Sequence, residues 1–253
     1  MPISYARRLI GPQRTPRADR QLSLALAFVA GAINAGGFVA VQQYTSHMTG
    51  IVSAMADNVA VGAHALVWAG AGALLSFLSG AACSAMMVHF ARRRQLRSEY
   101  ALPLLLEAVL LLVFGILGAW LSTIEGPFIP VTVMLLCFVM GLQNAVITKL
   151  SRAEIRTTHI TGVVTDIGIE LGKLLYWNGP RPAARPPVTA NAERLRTLAL
   201  LATCFFTGGV IGALGFTHVG YLSTVPLAVL LIALAGVPAA DDLLGWLRRR
   251  LEN

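Results

Sequence analysis

Apolar runs of about twenty residues, each long enough for a helix to cross a bilayer, alternate with short polar stretches along the whole chain. They fall at 22–41, 64–90, 102–121, 127–148, 198–216 and 221–239. A helix needs roughly 20 residues to cross about 30 Å of hydrocarbon, so the pattern predicts an all-α polytopic membrane protein with six transmembrane helices. Two shorter stretches, 45–62 and 156–172, are apolar but carry Asp57, Asn58, Asp166 and Glu170. They read as re-entrant or broken helices that enter the membrane without crossing it.

Charge gives the spans a direction. All 20 Lys and Arg lie in five stretches, 7–20, 92–97, 149–156, 173–196 and 248–250. Basic loops stay on the cytoplasmic side. With the first stretch inside, the six runs alternate out and in, and every basic stretch ends up cytoplasmic. The turns at 122–126 and 217–220, which hold no Lys or Arg, fall outside. Eight crossings would strand two basic stretches outside. Both termini are expected on the cytoplasmic side. Composition agrees: hydrophobic residues make up 56% and charged residues 13%, against about 25% charged in soluble domains. The net charge of +8 is explained by topogenic arginines and anionic lipid headgroups, not by nucleic acid. Cys83, Cys137 and Cys204 lie in apolar runs without metal-ligand spacing, so no cofactor or metal is expected.

The chain repeats itself. Thr45-Ser46-His47-Met48-Thr49-Gly50-Ile51-Val52 matches Thr157-Thr158-His159-Ile160-Thr161-Gly162-Val163-Val164 at five positions of eight. Upstream, the eight residues from Phe28, with Gly31, Asn34 and Ala35, match those from Phe138, with Gly141, Asn144 and Ala145. Downstream, Phe77 and Gly80 match Phe205 and Gly208, and Pro103-Leu104 weakly matches Pro226-Leu227. Each half holds three crossings, an odd number, so the halves would insert with opposite orientation, a 3+3 inverted repeat of the kind many secondary transporters use. The division is a basic segment at 1–20, a first repeat at 21–122, a second at 127–240 and a cytoplasmic tail at 241–253, all one membrane domain.

The paired Gly-x-x-Asn-Ala and Thr-[Ser/Thr]-His-x-Thr-Gly motifs, with Glu170 near Gly172-Lys173, resemble the YoaK-like bacterial membrane proteins, domain-of-unknown-function family 1275. That resemblance spans roughly residues 20–240 and implies an inner-membrane protein. It implies no substrate or activity.

The motif itself carries the candidate chemistry. Irregular backbone at membrane depth is tolerated only where protein or a water-filled cavity satisfies it, and Thr or Ser hydroxyls ahead of a Gly are natural caps for free helix N–H groups. Each copy is therefore expected to open a short helix inside the membrane. In an inverted repeat the two would meet near the midplane, where Asn34, His47, Thr49, Asn144, His159 and Thr161 would bind substrate. At helical spacing His159, Gly162, Asp166 and Glu170 share one stripe, as do His47, Gly50, Ala54 and Asp57 or Asn58. Asp166 aligns with Ala54 and Glu170 with Asn58, so only the second half carries an acidic pair one turn apart. Carboxylates at depth favour their neutral form, which makes Asp166, modulated by Glu170, the expected proton-coupling residue. The duller alternatives are that the histidines hold their turns, the asparagines glue helices, Asp57 lies at the outer interface and Glu170 at the inner one beside Lys173, both merely solvated, and Glu107 snorkels or pairs with Arg97. Gly31, Gly36, Gly37, Gly80, Gly208, Gly209 and Gly212 serve close packing.

The resulting expectation is a transporter or permease for a small polar solute, possible proton coupling included. Its partners are membrane lipids and an unidentified small molecule or ion, not nucleic acid, with association into homo-oligomers left open. A passive channel and a non-transporting membrane scaffold are the alternatives. The chain has no HExxH, GxSxG or Gly-rich phosphate loop, and enzymatic activity is not expected.

Overall fold

The computed structural model describes residues 15–96, 98–121, 128–150, 160–179 and 187–251, which form α-helices and one 3-10 turn, with no strand among them. In chain order the helices are α1 (Pro16–Val41), α2 (Met48–Ala60), α3 (His64–Arg93), α4 (Ala101–Leu121), α5 (Phe128–Leu150), α6 (Ile160–Leu175), α7 (Ala192–Val219) and α8 (Thr224–Leu251). The 3-10 turn Gly220–Ser223 joins the last two. Five helical runs are long and apolar enough to cross a membrane: Pro16–Val41, His64–Arg93, Ala101–Trp120, Val131–Leu150 and Ala192–Asp242. The last, of 51 residues, contains the 3-10 turn and so holds both α7 and the apolar part of α8. By contrast α2 has 13 residues and α6 has 16. At 1.5 Å per residue both fall short of the bilayer core.

Local chemistry sets several helix ends. Thr15 caps α1, its hydroxyl accepting from the Ala18 N–H at 3.3 Å, and Pro16 follows where a missing N–H costs nothing. Asn191 caps α7 in the same manner, accepting from the Arg194 N–H at 3.0 Å. Arg92 and Arg93 fill the last turn of α3, where cations meet the negative end of the helix dipole.

Large apolar side chains cover the outside as well as filling the core. Trp68, Trp120 and Phe206 lie at 76%, 76% and 70% exposure, which would be an aggregation hazard in water and is free of cost against lipid tails. Small residues stand where helices cross, because helices in lipid gain little from hydrophobicity and associate by close backbone approach. A Cβ on Gly31 would overlap the Phe205 carbonyl oxygen, and one on Gly208 the Phe28 carbonyl oxygen. Gly80 stands in the same relation to Phe138, and Gly141 to Phe77. These contacts pack α1 on α7 and α3 on α5.

The same contacts give direction. Along α1 and α7, Phe28 meets Gly208, Ala32 meets Gly212 and Gly36 meets Phe216, so these helices run parallel. Gly72 meets Met134 and Gly80 meets Phe138, so α3 and α5 also run parallel. Between the two pairs, the Gln143 amide donates to the Leu26 carbonyl at 3.4 Å and Gly37 meets the Leu136 side chain, which makes α1 and α5 antiparallel. Finally α4 and α8 pack antiparallel. Asp242 Oδ2 accepts from the Ser98 N–H (3.0 Å) and hydroxyl (2.6 Å) at one end, and Gly115 and Gly118 lie against Thr224 and Tyr221 at the other.

Candidate functional site

The first motif copy forms the link from α1 to α2. Gln42 ends α1 in the left-handed conformation (φ 56°), and Tyr44 stacks on Phe38 with ring centroids 4.4 Å apart. The chain then folds back along α1 until the Ser46 hydroxyl donates to Asn34 Oδ1 at 2.8 Å. Asn34 thus holds the turn. The capping expected of the motif hydroxyls is not what occurs: His47 occupies the N-cap position with no side-chain cap bond, and the Thr45 hydroxyl is buried without a partner among the described residues. His47 instead lays its ring over the first turn, where a Cβ on Gly50 would come within 2.9 Å of Nδ1. That contact explains the glycine three residues after the histidine.

Of α2 only Ile51 is buried. Ile51 and Met55 pack against Gly70 of α3, and α2 and α3 form a hairpin. His47, Thr49, Ala54 and Asp57 point away from the protein interior. The polar stripe read from the sequence exists as a stripe, but it does not line an enclosed cavity.

In the second copy, His159 lies outside the described residues, as do Thr157 and Thr158. Thr161 is exposed and its carbonyl accepts from the Thr165 hydroxyl at 2.8 Å. Asn144, half-buried, accepts the Thr148 hydroxyl on its backbone oxygen at 2.8 Å. Asn34 and Asn144 are not brought together. The residue beside Asn144, Gln143, reaches Leu26, eight residues before Asn34 in sequence, which at 1.5 Å per residue puts the two asparagines about 12 Å apart along the helix axis. Likewise α2 is carried on α3 and α6 on α7, so the two copies stand on different helix pairs.

Of the partners that the acids of α6 take up, the sequence gave Lys173 as the neighbour of Glu170, but not Arg194 or the Asn191 backbone. Glu170 is 1% exposed. Its Oε1 accepts from Lys173 Nζ at 2.9 Å with Arg194 Nη1 at 3.6 Å, and its Oε2 accepts from the Asn191 N–H at 2.8 Å. Asp166 Oδ2 accepts from Arg194 Nη2 at 3.2 Å. The hydrogen bond from Lys173, then that from the Asn191 backbone, hold the Glu170 carboxyl below the usual carboxylate range. Burial of the carboxyl opposes these hydrogen bonds and is outweighed by them. An acidic pair whose members raise each other's proton affinity is therefore replaced by two carboxylates neutralised by Lys173 and Arg194. Arg20 of α1 joins the same end through Glu193 at 3.4 Å.

Glu107 is the second departure. It neither snorkels nor shows a partner: it is 0% exposed, and both carboxyl oxygens lack a hydrogen bond among the described residues. Arg97, the alternative partner, lies outside those residues. Buried Gln143 was legible only as a neighbour of Asn144. Its role as the α5-to-α1 bridge needed the register of the two helices.

Comparison with known proteins agrees with this architecture. The chain is 27% identical over 193 residues, 75% of its own length and 80% of the relative's, to the UPF0700 transmembrane protein YoaK of Bacillus subtilis (strain 168). No solved structure matches. Residues 22–237 match the family model described as protein of unknown function (DUF1275), and this multi-pass helical membrane protein belongs to that family.

Proposed function

We propose that the chain is a secondary transporter, or permease, for a small polar solute, built as a 3+3 inverted repeat with six crossings and both termini on the cytoplasmic side of a bacterial inner membrane. The observation that carries this reading is the exchange of helices between halves. Gly31 on Phe205 and Gly208 on Phe28 repeat, with the halves interchanged, as Gly141 on Phe77 and Gly80 on Phe138. Those are the positions that the internal repeat equates. Burial repeats as well: over 22–37 and 132–147 the order of buried and half-buried positions agrees at every place but one.

A two-fold axis in the membrane plane accounts for this exchange, for parallel α1 and α7, for parallel α3 and α5, and for antiparallel α4 and α8. Inverted halves of this kind let one half rock against the other around a fixed site. Each half contributes one short polar element that does not cross. Asn34, His47 and Thr49 are the proposed solute contacts of the first half, with Asn144, His159 and Thr161 those of the second. Each set serves its own side of the path.

Two measurements test the reading. In a background with the three cysteines replaced by alanine, Leu222→Cys in the 3-10 turn should react with an impermeant thiol reagent from outside intact cells, and Gln95→Cys after α3 should not. Labelling of both from one side overturns the topology. A thermal-shift screen of sugars, amino acids, carboxylates and inorganic ions should give a compound that stabilises the native protein. The same compound, radiolabelled, should then show saturable counterflow in vesicles, reduced at least tenfold by His47→Ala. Flux that does not saturate indicates a channel, and no flux at all a scaffold.

A further inference from the structure

Glu107 is the only ionisable residue of α4, seven residues into a helix otherwise made of Leu, Ala, Val, Ile, Phe, Gly, Pro and Trp. It lies on the buried side with Leu104, Ala108 and Leu111, at helical spacing. Along the helix axis it falls between the two contacts of α4 with α8, Ser98–Asp242 at one end and Gly115–Thr224 at the other. Over the facing stretch of α8, residues 225–240, there is no ionisable side chain.

The other elements packed against α4 offer no counter-charge at this depth. On α5, Lys149 sits in the last turn with its Nζ 3.1 Å from His89 Nε2 of α3, and Cys137 is the one titratable group within the span. On α3, Arg92 is paired with Glu99 at 2.9 Å, Arg93 ends the helix, His64 begins it at the far end, and Cys83 lies between. The 3-10 turn brings Tyr221, beyond Gly115 and Gly118. On α8, Asp242 is engaged with Ser98, and Asp241 adjoins it. An ionised carboxylate with no partner in such surroundings is prohibitively costly, so in this conformation Glu107 carries its proton.

A neutral carboxyl still needs hydrogen bonds. Leaving a buried polar group unpaired is costly, and a hydrocarbon side chain would avoid that cost. The position equivalent to Glu107, counted from the Pro103-Leu104 and Pro226-Leu227 match, is Leu230. Packing does not ask for an acid. The acid gains a partner only in a conformation in which water reaches the carboxyl.

We infer that Glu107 is a proton-binding site, a carboxyl that is loaded while buried on the inner side of α4 and that releases its proton when a change of conformation admits water to it. In the release step the O–H bond breaks, its electron pair stays on the carboxylate and the proton passes to water; loading is the reverse. This makes the proton the coupling ion of the transporter proposed above. The use of the proton rests on that reading, whereas its binding does not.

The test is infrared difference spectroscopy of the full chain in lipid nanodiscs, titrated from acid to alkaline pH and compared with Glu107→Gln. The native protein should show at neutral pH the carbonyl band of a neutral carboxyl in apolar surroundings. That band should be absent in Glu107→Gln and should fade as pH rises while the far-ultraviolet circular dichroism stays constant. Should Glu107→Gln fold poorly, Glu107→Leu, which copies Leu230, supplies the reference spectrum. Either of two results overturns the inference: the band survives in both variants, or it persists in the native protein up to the pH at which helicity collapses, which makes Glu107 a static buried acid. Counterflow decides the transporter reading separately, since the band titrates whether or not a solute moves.

Discussion

Alanine at Gly31, Gly80, Gly141 or Gly208 is expected to be the most damaging single substitution in the molecule, and alanine at Gly168 or Gly172 among the least. At the first four positions the added methyl meets a backbone carbonyl oxygen of the partner helix. A side chain could rotate aside, but a helix backbone has to move. Overpacking costs about 1–3 kcal/mol where side chains give way, so these sites should lie at about 3 kcal/mol or above. Gly168 and Gly172 of α6 have nothing within 4 Å of an added Cβ. There the intrinsic helix preference for Ala should raise stability by about 0.5–1 kcal/mol. Thermal unfolding in detergent, followed by size-exclusion, checks both groups. Gly31→Ala combined with Gly208→Ala should cost less than the sum, since both open the same crossing, whereas Gly31→Ala with Gly141→Ala should be nearly additive. Equal tolerance at all six positions would refute the close crossings.

The second large effect is expected at Glu170. A carboxylate held below its ordinary value contributes stability above the unfolded-state pKa, about 4.3 for Glu. That contribution is lost as pH falls through the lower folded value. The native protein should therefore lose thermal stability in acid below that point, and Glu170→Gln, already lower at neutral pH, should show a flatter acid limb. Glu170→Ala should also free the end of α6 from α7, because the Asn191 N–H and Lys173 lose their shared acceptor, and trypsin should then cut at Lys173 faster than in the native protein. Asp166→Asn should do much less. Its partner Arg194 is half exposed, and ion pairs in water contribute roughly 0–1 kcal/mol. An acid limb unchanged by Glu170→Gln would show that the cluster does not hold α6.

Most helix extents were legible because hydropathy responds directly to the bilayer. The apolar runs at 64–90 and 102–121 became His64–Arg93 and Ala101–Leu121. Where a helix continues past the lipid, that signal fails. The run from 198 became Ala192–Val219 since Asn191 caps a polar first turn that hydropathy does not see. The tight glycines were readable as small residues at crossings, but not which crossing. Gly31 finds its partner more than 170 residues away in α7, and no local pattern encodes that choice. That Arg194 reaches both acids was not legible, for a related reason. Position along α6 does not say which residues of a distant helix it meets, and Arg194 of α7, 28 residues on, meets Asp166. His47 was placed correctly beside its glycine, yet the hydroxyls expected to cap the helix do not, because the ring already fills the space over the first turn.

The exchange of helices between halves also dictates an order of assembly during synthesis. When the ribosome has delivered α1 to α4, none of the three tight pairs exists, since α7, α5 and α8 are still to come. The glycine faces of α1 and α3 must wait in lipid, where an unfilled small-residue face costs little. The α3–α5 pair can close first, then α1–α7, and the antiparallel α4–α8 pair closes last. A nascent chain arrested after α5 should therefore be half docked, and completion of the C-terminal helix should be the step that turns a set of inserted helices into a folded protein.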